Sequence, residues 1–291
     1  MSTYSIKDLE RISGIKAHTI RIWEQRYNII SPNRTDTNIR HYNDEDLKSI
    51  LNIGILNNSG YKISKIAKMH KDEITASVLE ITGNNYDPNV QIDNLIIAMS
   101  EMDEDRFEKF LTANIVRFGF EKTFLEVLHP FMAKVAILWI TNSINPAQEH
   151  FISNLVRQKL ITAIDGADYK GDKETKKVLL YLPENELHEI NLLFANLFLK
   201  THGFKTIYLG QSVPYADIKM VCNLHKPHYI LTVITCSLMD ITIEDYIKQL
   251  SNDFKEQKIV VSGYQFLHNE IKLPHSVKLF NSPKELLSIV S

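Results

Sequence analysis

Two short amphipathic helix patterns separated by Ser13-Gly14, then a proline stop at Pro32 and a basic segment closing on Arg40-His41-Tyr42, leave the first 47 residues few folds to adopt. Ser5 followed by Asp8 reads as a helix start, with Ile6, Leu9 and Ile12 on one face, and Ser13-Gly14 breaks the helix, since Gly14 is able to take positive φ at low cost. The second helix, residues 16–26, turns Ile20 and Trp23 inward at i and i+3. His18, Thr19, Arg21 and Ile22 then lie near its exposed N-terminal half. Residues 33–42 have hairpin character with Arg34 and Arg40 on the arms, and Asn43-Asp44-Glu45-Asp46 and residues 60–66 cap two further helices. The order is helix-turn-helix and then wing, which holds a helix in the major groove of duplex DNA and lays guanidinium groups against phosphates.

The charge distribution agrees. Residues 1–72 carry 12 Lys or Arg against 8 Asp or Glu, which leaves −6 for the rest of a chain whose total is −2. The N-terminal segment is the part suited to meet phosphate. A length of 291 residues, 44% of them apolar, supports two or three packed domains. The sequence shows no cleavable leader pattern and no apolar run of the ~18–20 residues that span a bilayer, so a soluble cytoplasmic protein without membrane contact is expected. Cys222 and Cys236 lack metal-ligand spacing and read as buried reduced thiols.

With its Trp23-Glu24-Gln25-Arg26-Tyr27 run, the N-terminal segment resembles the MerR family of transcription regulators, most closely the subgroup that carries cobalamin-binding domains. The resemblance covers about the first 70 residues. It implies double-stranded promoter or operator DNA as partner, with His18, Thr19, Arg21, Arg26, Arg34, Arg40 and Tyr42 as DNA-contact residues. Trp23 and Tyr42 also suit a packing role whatever the function.

Residues 90–167 are helical in pattern. Ile92, Leu95, Ile96 and Met99 form one stripe and Phe107, Phe110, Leu111 and Ile115 another, and two longer helices follow over 120–141 and 146–165, the latter opened by Asn145-Pro146. Four such helices make a bundle. Trp139 and the Glu149-His150 pair resemble the helical cap over the cobalamin face in methionine synthase and in light-responsive MerR repressors. That resemblance implies Trp139 on the upper face of the corrin and Glu149 and His150 near the upper ligand. In the photosensory members a histidine follows the tryptophan and captures cobalt after illumination. Ile140 stands there in this chain and cannot ligate cobalt, so light switching by that route is not expected.

From Lys177 onward, strand-like runs at 177–183, 205–209, 229–235 and 258–262 alternate with helix-like runs, and a last strand and helix follow. This alternation implies a parallel sheet covered on both faces, with ligands bound beyond the carboxyl ends of the strands. His188 falls in the loop after the first strand. Glu186-Leu187-His188-Glu189-Ile190-Asn191 resembles the Asp-x-His-x-x-Gly signature of the cobalamin-binding Rossmann-like domain. By that resemblance His188 is the cobalt ligand from below, Glu186 orients its imidazole, and Asn191, Thr235, Ser237 and Gly263 lie near the cofactor. Glu186 adds one methylene, Asn191 replaces a glycine, and Ser262-Gly263 replaces two glycines.

The expected fold class is multidomain α and α/β: a winged helix-turn-helix over 1–74, a four-helix bundle over 75–171, and a Rossmann-like (flavodoxin-like) parallel sheet over 172–291. The expected protein is a homo-oligomeric DNA-binding regulator and not an enzyme. At this point a cobalamin-sensing regulator, a regulator whose degenerate sensor acts through protein contacts, and a corrinoid-carrying enzyme module all stay open. The last has no substrate barrel or paired acid and base to support it.

Overall fold

The computed structural model describes residues 4–34, 39–84, 87–141, 143–167 and 176–291. It divides into two compact units, 1–155 and 156–291. The expected domain boundary at 171/172 lies outside the described residues, and the one at 74/75 falls in the first turn of a helix.

In the first unit, α1 (Ile6–Ser13) begins with the expected capping box. The Ser5 hydroxyl accepts from Asp8 N, and the Asp8 carboxylate accepts from Ser5 N at 2.8 Å. Gly14 closes it at φ 72°, a left-handed conformation that costs glycine least. Helix α2 (Ala17–Tyr27) buries Ile20 and Trp23. Strands β1 (Asn33–Arg34) and β2 (Arg40–His41) pair antiparallel as the wing arms, Asn33 opposite His41 and Arg34 opposite Arg40. Backbone bonds in both directions between Tyr4 and Tyr42 then tie the chain start to the wing base. Helix α3 (Asp44–Asn58) opens with a second capping box, between Asn43 and Asp46, and α4 (Ile63–Ile66) follows.

The expected 74/75 boundary falls inside α5 (Lys71–Asn84), with Asp72 and Glu73 in its first turn, where acidic groups favour the helix dipole, and Val78 buried. The bundle helices are α6 (Pro88–Glu101), α7 (Glu104–Phe118), a continuous run from α8 (Phe120–Thr123) through a π-helical turn (Phe124–Leu128) into α9 (His129–Ile140), and α10 (Pro146–Asp165). In the π turn His129 N–H donates to Phe124 O. Pro130 explains it: proline has no N–H for the carbonyl four residues back and its ring crowds that carbonyl, so the helix widens. The run Phe120–Ile140 is long and apolar enough to cross a membrane by length and composition, a property the sequence reading missed. It nevertheless carries Glu121, Lys122, Glu126 and Lys134 and buries Phe124, Leu128, Phe131, Val135 and Leu138 in the bundle.

Charged contacts among the described residues join the winged module to the bundle. Lys48 of α3 pairs with Glu101 of α6. Lys134 of α9 reaches the Ile12 carbonyl at 3.3 Å and Asp93 of α6 at 3.4 Å. Burial raises the Asp93 carboxyl to about 6 against the opposing pull of Lys134.

The second unit is a five-stranded all-parallel sheet in the order β4-β3-β5-β6-β7. Its elements are β3 (Lys177–Pro183), α11 (Ile190–Thr201), β4 (Lys205–Val213), α12 (Tyr215–His225), β5 (Tyr229–Val233), α13 (Ile243–Asp253), β6 (Lys258–Ser262), α14 (Tyr264–His268), β7 (Val277–Leu279) and α15 (Pro283–Val290). Strand β4 runs four residues past its expected end, with register shifts against β3 and positive φ at Gly210 and Ser212. Helices α12 and α13 cover one face with Ile218, Cys222, Tyr246, Ile247 and Leu250, while α11 packs against the sheet and α15 against α11. Strand order reverses at β3, which has β4 on one side and β5 on the other, so the carboxyl ends of β3 and β5 form the topological switch point where doubly wound sheets bind ligands.

Candidate DNA-contact face and ligand site

On α2, His18, Arg21 and Arg26 are exposed and Thr19 is partly exposed, on the side away from buried Ile20 and Trp23. Arg34 is exposed on β1. Arg40 is half-buried, and its Nε donates to both carboxylate oxygens of Glu24 at 3.2 Å. Its charge is therefore partly committed within the protein.

Tyr42 corrects the expectation of a DNA contact. It is 0% exposed, and its hydroxyl donates to Glu24 at a long 3.5 Å. Burial, then the Glu24 charge, pushes that hydroxyl up to about 12. Tyr42 packs the wing base, and Glu24, on which Arg40 and Tyr42 converge, is the positioning residue that the sequence reading did not single out.

In the first unit, Trp139 lies in the last turn of α9 and is 46% exposed, with Ile137 and Ile140 also exposed. It is not a core residue. Glu149 and His150 pair with each other, Oε2 to Nδ1 at 3.0 Å, with the His150 side chain outward.

In the second unit, the turn after β3 carries Glu186, whose side chain is 2% exposed. Its Oε1 accepts from His188 N at 3.0 Å and lies 2.7 Å from His188 Nδ1. Its Oε2 accepts the backbone N–H groups of Thr235 and Cys236 at 2.8 Å each. Burial alone would raise this carboxyl, but the donors from His188, Cys236 and Thr235 outweigh it and hold the group down at about 2. An ionised carboxylate only accepts, so His188 Nδ1 carries a proton, and the neutral form of the ring then has its lone pair on Nε2. The imidazole is 60% exposed, in the turn between β3 and α11. Beside it Glu189 accepts from Tyr208 OH at 3.0 Å and pairs with Arg157 at 2.8 Å, which steadies the residue after the histidine.

The remaining expected residues divide by the part of each that acts. Thr235 contributes its amide to Glu186, and its carbonyl accepts from Gln265 Nε2 at 3.2 Å. Ser237 is exposed and helps line an open groove of about 540 Å³ with Leu238, Thr242, Ile243, Gln265 and Ile271. Asn191 is exposed in the first turn of α11. Gly263 is required by the chain itself: at φ 119°, a Cβ there would sit 2.3 Å from the Ile234 carbonyl oxygen. Cys222 is buried as expected, whereas Cys236 is exposed, with Sγ 3.6 Å from His188 Nδ1. Its placement corrects the reading of both thiols as buried. Sequence spacing could not show this, because 47 residues separate Cys236 from His188.

Residues 4–73 match the family of MerR HTH regulatory proteins and residues 91–163 match a B12 binding domain. The chain thus joins a MerR-type helix-turn-helix segment to a B12 binding domain, the make-up of a transcription regulator. It is similar to the HTH-type transcriptional repressor CarH of Myxococcus xanthus, 28% identical over 85% of this chain and 84% of that protein. It is also similar to the repressor CarA of the same organism, 23% identical over 77% of this chain and 74% of the relative. Among solved structures, a monomethylamine corrinoid protein of Methanosarcina barkeri shares the fold, with a TM-score of 0.52 at 15% identity over 66% of this chain and 92% of that one.

Proposed function

We propose that the exposed face of α2 and the wing bind operator DNA, that the second unit holds a cobalamin with His188 as its lower cobalt ligand, and that ligand state controls self-association and operator occupancy. The observation that carries this reading is the Glu186–His188 pair at the switch point of the sheet. A buried ionised carboxylate that fixes Nδ1–H leaves Nε2 as the ligating nitrogen, the arrangement by which acids orient metal-bound histidines. The extra methylene of Glu186 does not prevent the pairing, and Asn191 is exposed. Cobalamin, when bound, supplies a cobalt centre whose ligands differ between its chemical forms.

Within this reading, Ser237 and the groove beside it serve the polar tail, and Trp139, Glu149 and His150 keep the upper-face role that the resemblance implies. Arg21, Arg26 and Arg34, with His18 and Thr19, meet the duplex, and Arg40 sets the wing. The chain acts as a homo-oligomer in the cytoplasm and not as an enzyme, in keeping with relatives that are transcriptional repressors along most of their length. Pairing two half-sites gives such modules their affinity.

The test is the visible absorption spectrum of protein mixed with cobalamin and freed of excess, for wild type and His188→Ala. A coloured wild type whose spectrum changes in the variant supports the reading. A colourless protein selects the cofactor-independent regulator, which the departures at Asn191 and Ser262 would favour. Gel filtration and operator binding with and without adenosylcobalamin test the coupling, and identical profiles discard it.

A further inference from the structure

We propose that Glu186, His188 and Cys236 form a site for a thiophilic divalent cation of the Zn²⁺ class, which competes with cobalt for the same imidazole. One ligand atom from each of the three lies within 4.8 Å of the others. Cys236 Sγ stands 3.6 Å from His188 Nδ1. Zinc bonds of about 2.3 Å to sulfur and about 2.0 Å to nitrogen, at a tetrahedral angle, place those two ligands roughly 3.5 Å apart. The spacing is therefore already that of a shared ion.

Glu186 Oε1 lies 2.7 Å from the same nitrogen through the imidazole proton. A cation takes the place of that proton and widens the gap by roughly 0.6 Å. The exposed His188 ring supplies the movement, while Glu186 stays anchored through Oε2 to the amides of Thr235 and Cys236. Oε1 keeps the bond from His188 N and turns its other lone pair to the ion. One thiolate, one imidazole and one carboxylate suit a borderline-soft ion and not Mg²⁺ or Ca²⁺, which take oxygen ligands.

The protons balance simply. Binding releases the Cys236 thiol proton to solvent, and the His188 Nδ1 proton moves to Nε2, so one proton leaves per ion. Protonated Nε2 has no lone pair for cobalt, and a loaded cation site therefore blocks cobalt ligation by His188. This exclusion rests on the cobalamin reading above, whereas cation binding does not.

The test is a titration of the full-length chain, reduced and free of corrinoid, with Co²⁺ alone as the absorbing probe. The expected result is one equivalent bound, with a thiolate-to-Co²⁺ charge-transfer band that Zn²⁺ displaces. Cys236→Ser abolishes the band, Cys222→Ser retains it because that thiol is buried in the sheet core, and His188→Ala weakens binding by at least about tenfold. No such band in the wild type, a band that survives Cys236→Ser, or unchanged affinity in His188→Ala overturns the site. A protein that gives a cobalamin spectrum but no Co²⁺–thiolate band overturns this site and leaves the cobalamin reading standing. The reverse pair of results does the opposite.

Discussion

His188 Nδ1 lies 2.7 Å from Oε1 of Glu186, while the other oxygen of that carboxylate accepts the amides of Thr235 and Cys236 at 2.8 Å. One buried acid thus ties the turn after β3 to the segment after β5 and aims the imidazole.

Glu186→Gln removes the charge but keeps the shape. An amide presents an N–H₂ where an acceptor is needed, so at least one of the four contacts becomes a clash of donors. Cobalamin affinity should fall by about 10–100-fold, the usual cost of losing the partner behind a ligating histidine. An affinity equal to wild type in a spectral titration would show that the acid does not orient the ring.

The same acid sets a pH dependence. Its folded pKa of about 2 lies below the ordinary 4.5, so its contribution is complete above about 4.5 and is lost as pH falls toward about 2. The full difference is about 3 kcal/mol. The Tm of wild type should drop more steeply over that window than the Tm of Glu186→Gln, and parallel curves would count against the pairing.

Asp93 acts with the opposite sign. Burial raises its pKa to about 6 from 3.8, so the folded state gains protons first, and stability from this group is lost as pH rises from about 4 through about 6. Asp93→Asn should flatten the Tm profile in that range. Lys134→Met, which removes the counter-charge, should steepen it and push the midpoint upward.

Tyr42 separates packing from recognition. Tyr42→Ala empties a fully buried site and should cost about 3–5 kcal/mol, while Tyr42→Phe gives up only the long bond to Glu24 and should cost about 1 kcal/mol or less. Operator affinity of the folded Phe variant should equal wild type. A tenfold loss in a binding assay would return Tyr42 to the DNA surface.

Arg34 and Arg40 should differ on DNA. Arg34→Ala should reduce the slope of log affinity against log salt by about one. Arg40→Ala and Glu24→Gln should behave alike, because both release the wing from α2, and equal salt slopes for Arg34→Ala and wild type would remove Arg34 from the contact.

Local signals carried much of the fold. Ser5-Asp8, Gly14 and Asn43-Asp46 each act within four residues of themselves, so the caps and breaks of the winged module were legible in order. Apolar runs such as Val178 to Leu182 likewise mark strands buried on both faces. Other features were illegible because they depend on distant partners. The helix α5 across the expected boundary draws on burial of Val78, and the fate of Tyr42 depends on Tyr4 and Glu24.

By itself the sequence determined the order of modules, the basic face of α2, and the histidine with an acid two residues before it, since these follow from side-chain chemistry and short-range periodicity. Only the tertiary structure decided that Tyr42 is packing, that Gly263 serves the Ile234 backbone, and that Cys236 joins Glu186 and His188. Strand order brings the ends of β3 and β5 together, and no property of either segment alone states that they are neighbours.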